Sequence, residues 1–384
     1  MSLLASNLQI TDGSNQLHTI FSAYVGIAIC IIGFFGNIIS ISVWRRINNR
    51  RYDSGKSAGM FLISLAIVDS GLLIFFTMTE SFQSISTEVK YTYYYVWFYC
   101  FVGFPMYFFF IVASIWMVIS ITYNRFVAVV FPHKTSSLNT IRKSYIIIFL
   151  TLFFSFAINM PHFFNFHPIQ DVNGHWAAGK TNYGKTYGAT MYDFWGHCML
   201  LVLIPWLIIS ILNGVIIYKL YSNRPTVSKK KFSKEHQTTI ILLTVSFAFL
   251  FFLIWQCITQ CFYMLHFKSN NKEIWYDISS AYAPARLGVV LNSSINFVLY
   301  CLSGQMFRKE MLRMFAEFCG CNNYLILLDS STTMSNTVSR GSFSKASLRQ
   351  TSAVQQSNKS KENCVSPQDI NGNRKQITEE VESS

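Results

Sequence analysis

Several polar residues of this sequence lie inside long apolar stretches, where side chains that can carry a charge are uncommon. Asp69 directly follows the apolar run Leu65–Ala66–Ile67–Val68. An ionisable group inside a membrane-spanning helix costs about 2.5–3.5 kcal/mol on insertion scales, so this aspartate is a candidate functional residue. Oxygen-bearing side chains in other apolar stretches are its candidate partners: Ser114, Asn292, Ser293 and Asn296.

Two chemistries fit this set of polar residues. Carboxylate, hydroxyl and amide oxygens are the ligands that small hard cations prefer, so the set is a candidate sodium site. The same groups can also form hydrogen bonds between neighbouring helices, and the sequence leaves both interpretations open. Asn292, Asn296 and Tyr300 are spaced four residues apart, which places them on one face of a helix.

Seven apolar stretches contain these residues and must position them. Each is roughly 20 residues or longer, enough to cross a hydrocarbon core about 30 Å thick as a helix. The chain of 384 residues is 51% hydrophobic and only 13% charged, whereas soluble domains carry about 25% charged residues. We therefore predict an all-α membrane protein, a seven-transmembrane helix bundle with a short cytoplasmic amphipathic helix. The predicted spans are 20–44, 57–79, 95–123, 144–166, 191–218, 237–265 and 277–302.

Lysine and arginine are distributed unevenly among the connections between the spans. They cluster in the connections after the first, third and fifth spans and again after the seventh. The positive-inside rule then predicts an extracellular N-terminus and a cytoplasmic C-terminus. The net charge of +13 is thus expected to meet anionic membrane lipid, and a nucleic-acid partner is not expected.

The chain is predicted to have four parts. They are an extracellular N-terminus (1–19), the seven-transmembrane domain (20–303), an amphipathic membrane-surface helix (304–321) and a disordered, cytoplasmic Ser/Thr-rich tail (322–384). Cys319 and Cys321 end the amphipathic segment and are candidates for palmitoylation, with plain reduced thiols as the alternative. Phosphorylation of the tail would create a negative docking surface for a basic partner, and a merely solubilising tail is the alternative.

The order and spacing of these residues resemble the rhodopsin-like (class A) G-protein-coupled receptors across residues 20–320. The residues that carry the resemblance are, in chain order, Gly36–Asn37, Leu65–Ala66 with Asp69, Arg125, Pro205, Trp255, and Asn296 with Tyr300. The runs 292–301 and 159–164 are more specifically similar to invertebrate receptors for FMRFamide-type and related amidated neuropeptides.

This resemblance implies a plasma-membrane receptor that transmits agonist binding to a heterotrimeric G protein. It implies no enzymatic activity and no cofactor, apart from a candidate allosteric sodium ion at the Asp69 set. Ile115, Pro205 and Phe251 would connect the ligand pocket with the cytoplasmic face, while Arg125 and Tyr300 would take part in activation and G-protein coupling. Receptor kinases and arrestin would act on the tail.

The sequence departs from the family pattern at several positions. Asn124 replaces the acidic residue that usually precedes Arg125, which predicts a raised basal activity. Cys257 and Phe297 replace prolines of the sixth and seventh spans, so milder kinks are expected there. Cys100 stands where the family anchors a disulfide, but the second extracellular loop contains no cysteine. We predict no such disulfide, so other contacts must hold this loop, or it is mobile.

Charged and aromatic residues in the outer halves of the spans suggest a ligand class. Glu80 and Arg286 are charged, and other residues on plausible inward faces are Tyr107, His162, His197, Trp255, Gln256 and Gln260. An aromatic cavity with a few charges suits a short peptide with Arg and Phe side chains and an amidated end. Alternatively, Glu80 and Arg286 neutralise each other.

Other functional classes are compatible with seven apolar spans. Tyr107 stands where aminergic receptors of the family carry an aspartate, which argues against a simple amine ligand. A chemosensory or lipid receptor is the alternative within the family, and a seven-helix transporter or channel is the alternative outside it. A transporter needs a polar track through the bilayer, whereas the Asp69 set forms one cluster with apolar residues on both sides.

Overall fold

Long apolar helices make up most of the structure, a computed structural model that describes residues 20–50, 53–172, 174–222, 229–266 and 272–320. Among these residues, six helices are long and apolar enough to cross a membrane, and a shorter apolar segment, Thr239–Trp255, lies within another long helix. The predicted seven-transmembrane bundle is thereby confirmed. The N-terminal segment 1–19 and the tail 322–384 lie outside the described residues.

The long helices are labelled here in chain order, and short helical turns extend several of them. The long helices are α1 Gly26–Asn49, α2 Asp53–Phe76, α3 Phe104–Val130, α4 Ile141–Asn159, α5 Ile204–Ser222, α6 Lys229–His266, α7 Lys272–Ser303 and α8 Gln305–Phe318. The turns are Ile20–Val25 before α1, Thr77–Ser81 and Phe82–Ile85 after α2, Tyr93–Phe98 and Tyr99–Gly103 before α3, Met160–Phe164 after α4, and Tyr187–Trp195 and Gly196–Leu203 before α5. Further short turns in the connections are Thr87–Lys90, Pro132–Lys134 and Thr135–Leu138.

Proline explains one change of helix geometry, and its absence accounts for a continuous helix elsewhere. Pro205 is the second residue of α5 and is buried. Because proline has no N–H to donate, it interrupts the regular ladder, and the wider π-helical turn Gly196–Leu203 lies immediately before α5. Helix α6 contains no proline, since Cys257 stands at the family position, and it runs unbroken from Lys229 to His266.

Helix α3 lies at the centre of the bundle. It packs against α2, α4, α5 and α6, while α1 packs against α2 and α7, and α7 also packs against α6. Gly288 of α7 lies so close to α6 that a Cβ there would be 2.9 Å from the carbonyl oxygen of Phe252. Large side chains fill the core, among them Trp44, Phe61, Phe76, Phe249, Tyr300 and Phe307.

An antiparallel β-hairpin connects α4 with α5. Strand β1, Phe166–Gln170, pairs with β2, Trp176–Lys180, so that Phe166 lies opposite Lys180 and Gln170 opposite Trp176. Its tip residue Gly174 has a φ of 79°, which favours glycine. The hairpin marks one end of the bundle, called the hairpin end below.

At the other end, α7 passes into α8 through a single glycine. A Cβ at Gly304 would lie 2.7 Å from the carbonyl oxygen of Tyr300 and 3.2 Å from the Cβ of Phe307, so this turn requires glycine. Arg50, just after α1, donates to the buried carboxylate of Glu310 in α8 at 2.9 Å. This second bundle end is called the α8 end below.

The contact between α1 and α7 yields a test of the packing. Gly33 is buried against α7, and a Cβ at this position would lie 2.3 Å from Ser294 Oγ and 2.8 Å from Ser294 Cα. Gly33→Ala should therefore lower the unfolding free energy by about 1–3 kcal/mol, because the backbone of α7 must shift. The measurement is the thermal unfolding midpoint of the purified protein in detergent.

Gly214→Ala in α5 is the matched control, since nothing lies within 4 Å of a Cβ there. It should leave the midpoint unchanged or raise it, because alanine favours a helix over glycine by about 0.5–1 kcal/mol. Equal midpoints for the two variants would contradict the close approach of α1 and α7.

Candidate functional site

The Asp69 carboxylate joins three helices in the middle of the bundle. Asp69 of α2 is fully buried; Ser114 of α3 donates to its Oδ1 at 2.6 Å, and Asn296 of α7 donates to its Oδ2 at 2.7 Å. Hydrogen bonds to an ionised carboxylate are stronger than those between neutral groups. The polar residues predicted from three separate stretches thus meet at one carboxylate.

A small cavity lies next to this carboxylate. Its polar lining comes from Ser114, Asn292 and Ser293, and its apolar lining includes Leu72 and Ile111. Ser293 lies near Asp69, but its buried Oγ has no partner in hydrogen-bonding geometry among the described residues. An oxygen atom without such a bond at the wall of a cavity is an available ligand or water partner.

The donor set fits a small hard cation. Asp69 supplies a carboxylate, while Ser114 and Ser293 supply hydroxyl oxygens, and hard cations prefer oxygen ligands. Within the described ranges, no cluster of three or more His, Cys, Asp or Glu residues forms a metal site of another kind. The hydrogen bonds that Asp69 accepts also form a network between helices. The geometry is therefore compatible with both predictions, a sodium site and a plain hydrogen-bond network.

Helix α1 is tied to the same region through its asparagine. Asn37 is fully buried and donates from Nδ2 to the backbone carbonyl of Ser293 at 3.1 Å. This bond joins α1 to α7 at Ser293, which lines the cavity together with Asn292. Hydrogen bonds of this cluster therefore connect α1, α2, α3 and α7.

An ion pair lies toward the hairpin end of the bundle. Glu80, in the turn after α2, accepts a hydrogen bond from Arg286 of α7. The Glu80 side chain is 14% exposed and the Arg286 side chain 38% exposed. The predicted alternative in which these two residues neutralise each other is the arrangement that the structure adopts.

Tyrosines surround this ion pair. Tyr99 and Tyr107 lie close enough to both charges to interact with them electrostatically. Tyr107 is buried and its ring lies 6.1 Å from that of Phe76. A part-buried pair of opposite charges bordered by aromatic rings is a site for a polar ligand that has aromatic groups.

His162 is held by aromatic residues of α3. It is 3% exposed, and its ring stacks on Phe108 at 4.9 Å between centroids and meets Phe104 edge-on at 5.5 Å. Its Nδ1 is 3.3 Å from Asn165 Nδ2. These contacts pack His162, which lies in the turn after α4, against α3, and its predicted place in a ligand pocket stays a prediction.

The inward face of α6 differs from the predicted one. Phe251 is 70% exposed and Trp255 46% exposed, whereas Phe249 and Leu253 are buried and line the cavity beside Ile115. Phe251, which was predicted to connect the ligand pocket with the cytoplasmic face, thus does not face the bundle core in this structure, and its role stays a prediction. The physical reason is that α6 is apolar on all sides here, so its sequence has no periodicity that distinguishes the faces.

An uncharged chain of polar residues lies toward the α8 end. Asn124 of α3 donates from Nδ2 to Ser57 Oγ at 2.8 Å, and the hydroxyls of Ser57 and Ser144 lie 2.6 Å apart. Asn139, between α3 and α4, donates to the backbone carbonyl of Asn124 at 3.2 Å. The amide of Asn124 is thus directed toward α2 and α4, and it brings no charge to the neighbouring Arg125.

Tyr300 of α7 packs into an aromatic cluster at the same end. Its ring lies 5.7 Å from that of Trp44 and 5.4 Å from that of Phe307. Its hydroxyl is buried with no hydrogen bond among the described residues. Nearby, the hydroxyls of Thr122 in α3 and Ser246 in α6 lie 3.0 Å apart and join those helices.

Some predicted residues lie beyond what the structure describes. The side chains of His197, Gln256 and Gln260 fall within helices, but their surroundings are not among the described features, and Cys321 lies outside the described residues. Cys319 is exposed at the end of α8, and Cys100 is a free, buried thiol.

The sequence also matches known proteins. Residues 19–300 match the sequence model of the 7 transmembrane receptor (rhodopsin family). The chain is 28% identical over 301 residues to the FMRFamide receptor of Drosophila melanogaster, an alignment that covers 74% of this chain and 52% of that receptor. The chain therefore spans about half the length of this relative.

Two vertebrate receptors are more distant relatives. The thyrotropin-releasing hormone receptor of Gallus gallus is 24% identical over 362 residues, with 83% of each chain covered. Chemerin-like receptor 1 of Sus scrofa is 24% identical over 251 residues, which cover 61% of this chain and 64% of that receptor. Because the family match covers most of the chain and agrees with the seven-helix bundle, the chain belongs to the rhodopsin family of seven-transmembrane receptors.

Proposed function

We propose that this receptor recognises a short, amidated neuropeptide at the plasma membrane and transmits its binding to a heterotrimeric G protein. The family consists of multi-pass membrane receptors and not of enzymes. The observation that carries the proposal is the ion pair of Glu80 and Arg286 bordered by tyrosines. Two of the relatives, named as receptors for FMRFamide and thyrotropin-releasing hormone, support a peptide ligand.

The ion pair offers one group that can recognise an arginine side chain of such a peptide and one that can recognise its amidated C-terminus. The carboxylate of Glu80 suits the guanidinium of a peptide arginine, and the guanidinium of Arg286 suits the carbonyl oxygen of a C-terminal amide. Opening the pair leaves neither group without a hydrogen-bond partner only if the ligand supplies both the cation and the acceptor, since an unpartnered buried charge is strongly unfavourable. Tyr99 and Tyr107 then supply aromatic surface for a phenylalanine side chain.

The excess of Lys and Arg at the α8 end supports a cytoplasmic position for that end and an extracellular position for the hairpin end. Agonist would act by population shift, binding the active arrangement of the helices better than the resting one. Arg125 and Tyr300 lie at the end where a G protein would bind. The tail would bind receptor kinases and arrestin, and palmitoylated Cys319 and Cys321 would hold α8 to membrane lipid.

The Asp69 cluster would give the receptor an allosteric control. Asp69, Ser114, Asn292, Ser293 and Asn296 would hold sodium, and the bound ion would supply a positive charge that favours the resting arrangement of the helices. By linkage, bound sodium lowers the affinity for agonist, and bound agonist lowers the affinity for sodium by the same factor.

The peptide assignment is tested by a calcium or cAMP readout in transfected cells across a panel of amidated peptides. Against an active peptide that contains arginine, Glu80→Gln should raise the half-maximal concentration about 10–100-fold, because a charge-assisted hydrogen bond is lost. An analogue with citrulline in place of arginine should change far less. Glu88→Gln is the matched control, since Glu88 is an exposed glutamate in the neighbouring connection.

Surface expression is measured for each variant, because Glu80→Gln leaves Arg286 without its carboxylate partner. Equal losses for the arginine and citrulline peptides would place the arginine contact elsewhere. A panel without any active amidated peptide would contradict the proposed ligand class.

The sodium site predicts a salt-specific effect on agonist binding. Replacing sodium with choline at constant ionic strength should raise agonist affinity about 5–10-fold in the unmodified receptor. Asp69→Asn should abolish this difference, because the amide retains the volume of the side chain but loses the charge. A sodium effect of unchanged size in Asp69→Asn would exclude the site, and no sodium effect in the unmodified receptor would favour the plain hydrogen-bond network.

The uncharged chain at the α8 end predicts an altered basal activity. Asn124→Asp places a carboxylate beside Arg125 and should lower agonist-independent signalling by up to about fivefold, on the basis of ~1 kcal/mol for a part-exposed ion pair. Ser57→Ala is the control, because it removes the hydrogen-bond acceptor of Asn124 without adding a charge. Basal signalling that falls equally in both variants would mean that the hydrogen bond, and not the charge, sets the basal level.

A further inference from the structure

The turn that carries Glu80 is wound differently from the helix that it follows. In an α-helix the N–H of Phe82 would donate to the carbonyl of Met78, four residues earlier. Here it donates instead to the carbonyl of Thr77, and Thr77–Ser81 forms a π-helical turn. Single π-helical turns within helices are rare and are frequently found at functional sites. The side chain of Glu80 thus projects from a backbone conformation that other contacts must stabilise.

A tyrosine from outside α2 forms a hydrogen bond with this turn. The hydroxyl of Tyr95, in the turn Tyr93–Phe98 before α3, donates to the carbonyl of Met78 at 2.9 Å. This is the carbonyl that the N–H of Phe82 would bind in an α-helix, so the Tyr95 hydroxyl takes the place of that N–H. Because a backbone carbonyl is a strong acceptor that requires a partner, the hydrogen bond favours the π-helical turn over an α-helical one.

The ring of Tyr95 has further contacts with the same segment. It stacks on the ring of Phe82 with 6.4 Å between centroids and 26° between planes. The side chain of Gln83 lies beside the Tyr95 hydroxyl, and Glu80 is close enough to interact with Tyr95 electrostatically. Stacked rings at this distance attract each other beyond the burial of their surface. These contacts hold the Tyr95 hydroxyl at the turn.

A second π-helical turn packs against the first. The turn Tyr99–Gly103 before α3 is also π-helical. A Cβ at Gly103 would lie 2.8 Å from Cγ2 of Thr79, and Thr79 is buried. The turn that carries Glu80 is therefore restrained by close packing at Thr79 and by the hydrogen bond of Tyr95 at the neighbouring Met78.

We propose that Tyr95 is a positioning residue for the Glu80 carboxylate and thereby determines how strongly the receptor prefers arginine in its ligand. The Tyr95 hydroxyl stabilises the π-helical turn, and this turn directs Glu80 toward Arg286. Because a π-helical turn contains more residues than an α-helical one, its conversion to an α-helical turn would rotate Glu80 around the axis of α2. A displaced carboxylate binds a guanidinium less well, since hydrogen bonds weaken with distance and misalignment. The preference for arginine rests on the proposed function, whereas the positioning of Glu80 does not.

The positioning is tested without a ligand by a double-mutant cycle on the unfolding midpoint of the full-length receptor in detergent. Glu80→Gln removes the carboxylate from the ion pair and should lower the midpoint of the unmodified receptor. Tyr95→Phe removes only a hydroxyl, and in this background Glu80→Gln should cause a smaller fall, because the carboxylate is already displaced. An equal change in both backgrounds overturns the proposal.

Tyr94→Phe is the matched control for this cycle. Tyr94 belongs to the same turn as Tyr95 and is 84% exposed. Its loss of a hydroxyl should leave the effect of Glu80→Gln on the midpoint unchanged. A reduced effect in Tyr94→Phe as well would assign the coupling to the turn Tyr93–Phe98 in general and would overturn the specific role of Tyr95.

The consequence for recognition is measured with an active peptide that contains arginine and with its citrulline analogue, at equal surface expression. Tyr95→Phe should raise the half-maximal concentration of the arginine peptide about fivefold, which corresponds to ~1 kcal/mol, and should change that of the citrulline analogue far less. In a receptor that carries Glu80→Gln, Tyr95→Phe should have no further effect on the arginine peptide. Losses of equal size for the two peptides would indicate a direct contact or a general defect and would contradict the role in selectivity.

The two measurements separate a failure of this inference from a failure of the proposed function. A receptor that responds to no amidated peptide contradicts the proposed ligand class, and the unfolding cycle still decides whether Tyr95 positions Glu80. A Tyr95→Phe receptor that keeps its full preference for arginine overturns the inference while the proposed ligand class stands.

Discussion

A single carboxylate in an apolar bundle sets the arrangement of the helices around it. Asp69 cannot be solvated by lipid, so its carboxyl oxygens accept hydrogen bonds from the hydroxyl of Ser114 and the amide of Asn296. These bonds draw α2, α3 and α7 together, and Asn37 adds α1 through the backbone of Ser293. Among the described residues, the ion pair of Glu80 and Arg286 lies toward the hairpin end from this cluster, and the chain of Ser57, Asn124 and Ser144 lies toward the α8 end.

The two ends of the bundle use different kinds of polar chemistry. The hairpin end has a charged pair, Glu80 and Arg286, which the proposed peptide would open with its arginine and an amide carbonyl. The α8 end has the neutral chain of Ser57, Asn124 and Ser144, whose hydrogen bonds depend little on salt and on titration. The proposed ligand recognition would therefore draw on electrostatics, while the α8 end combines this uncharged chain with the ion pair of Arg50 and Glu310.

The membrane spans and the polar cluster could be predicted from the sequence, because a polar side chain in an apolar helix is unfavourable in lipid and must face other helices. Asp69, Ser114 and Asn296 were separate candidates in the sequence, and lipid exclusion alone required them to face inward. The sequence could not choose between pairing and ligand binding for Glu80 and Arg286, since both follow from the same charges. It also could not orient α6, where Phe249 and Phe251 are equally apolar and only the packing of neighbouring helices distinguishes their faces. The chain from Ser57 to Ser144 was not anticipated, because serine and asparagine near helix ends carry no signal of a partner.

The unbroken helix α6 has a mechanical consequence. Gly288 of α7 packs closely against the backbone of Phe252 in α6, and α6 extends about 35 Å from Phe252 to Lys229 but only about 21 Å to His266, at 1.5 Å per residue. A rod without an interior hinge turns as a lever about its tightest contact. A given tilt about Phe252 would therefore displace the Lys229 end roughly 1.6 times as far as the His266 end, so a small movement at the His266 end is geometrically amplified at the Lys229 end.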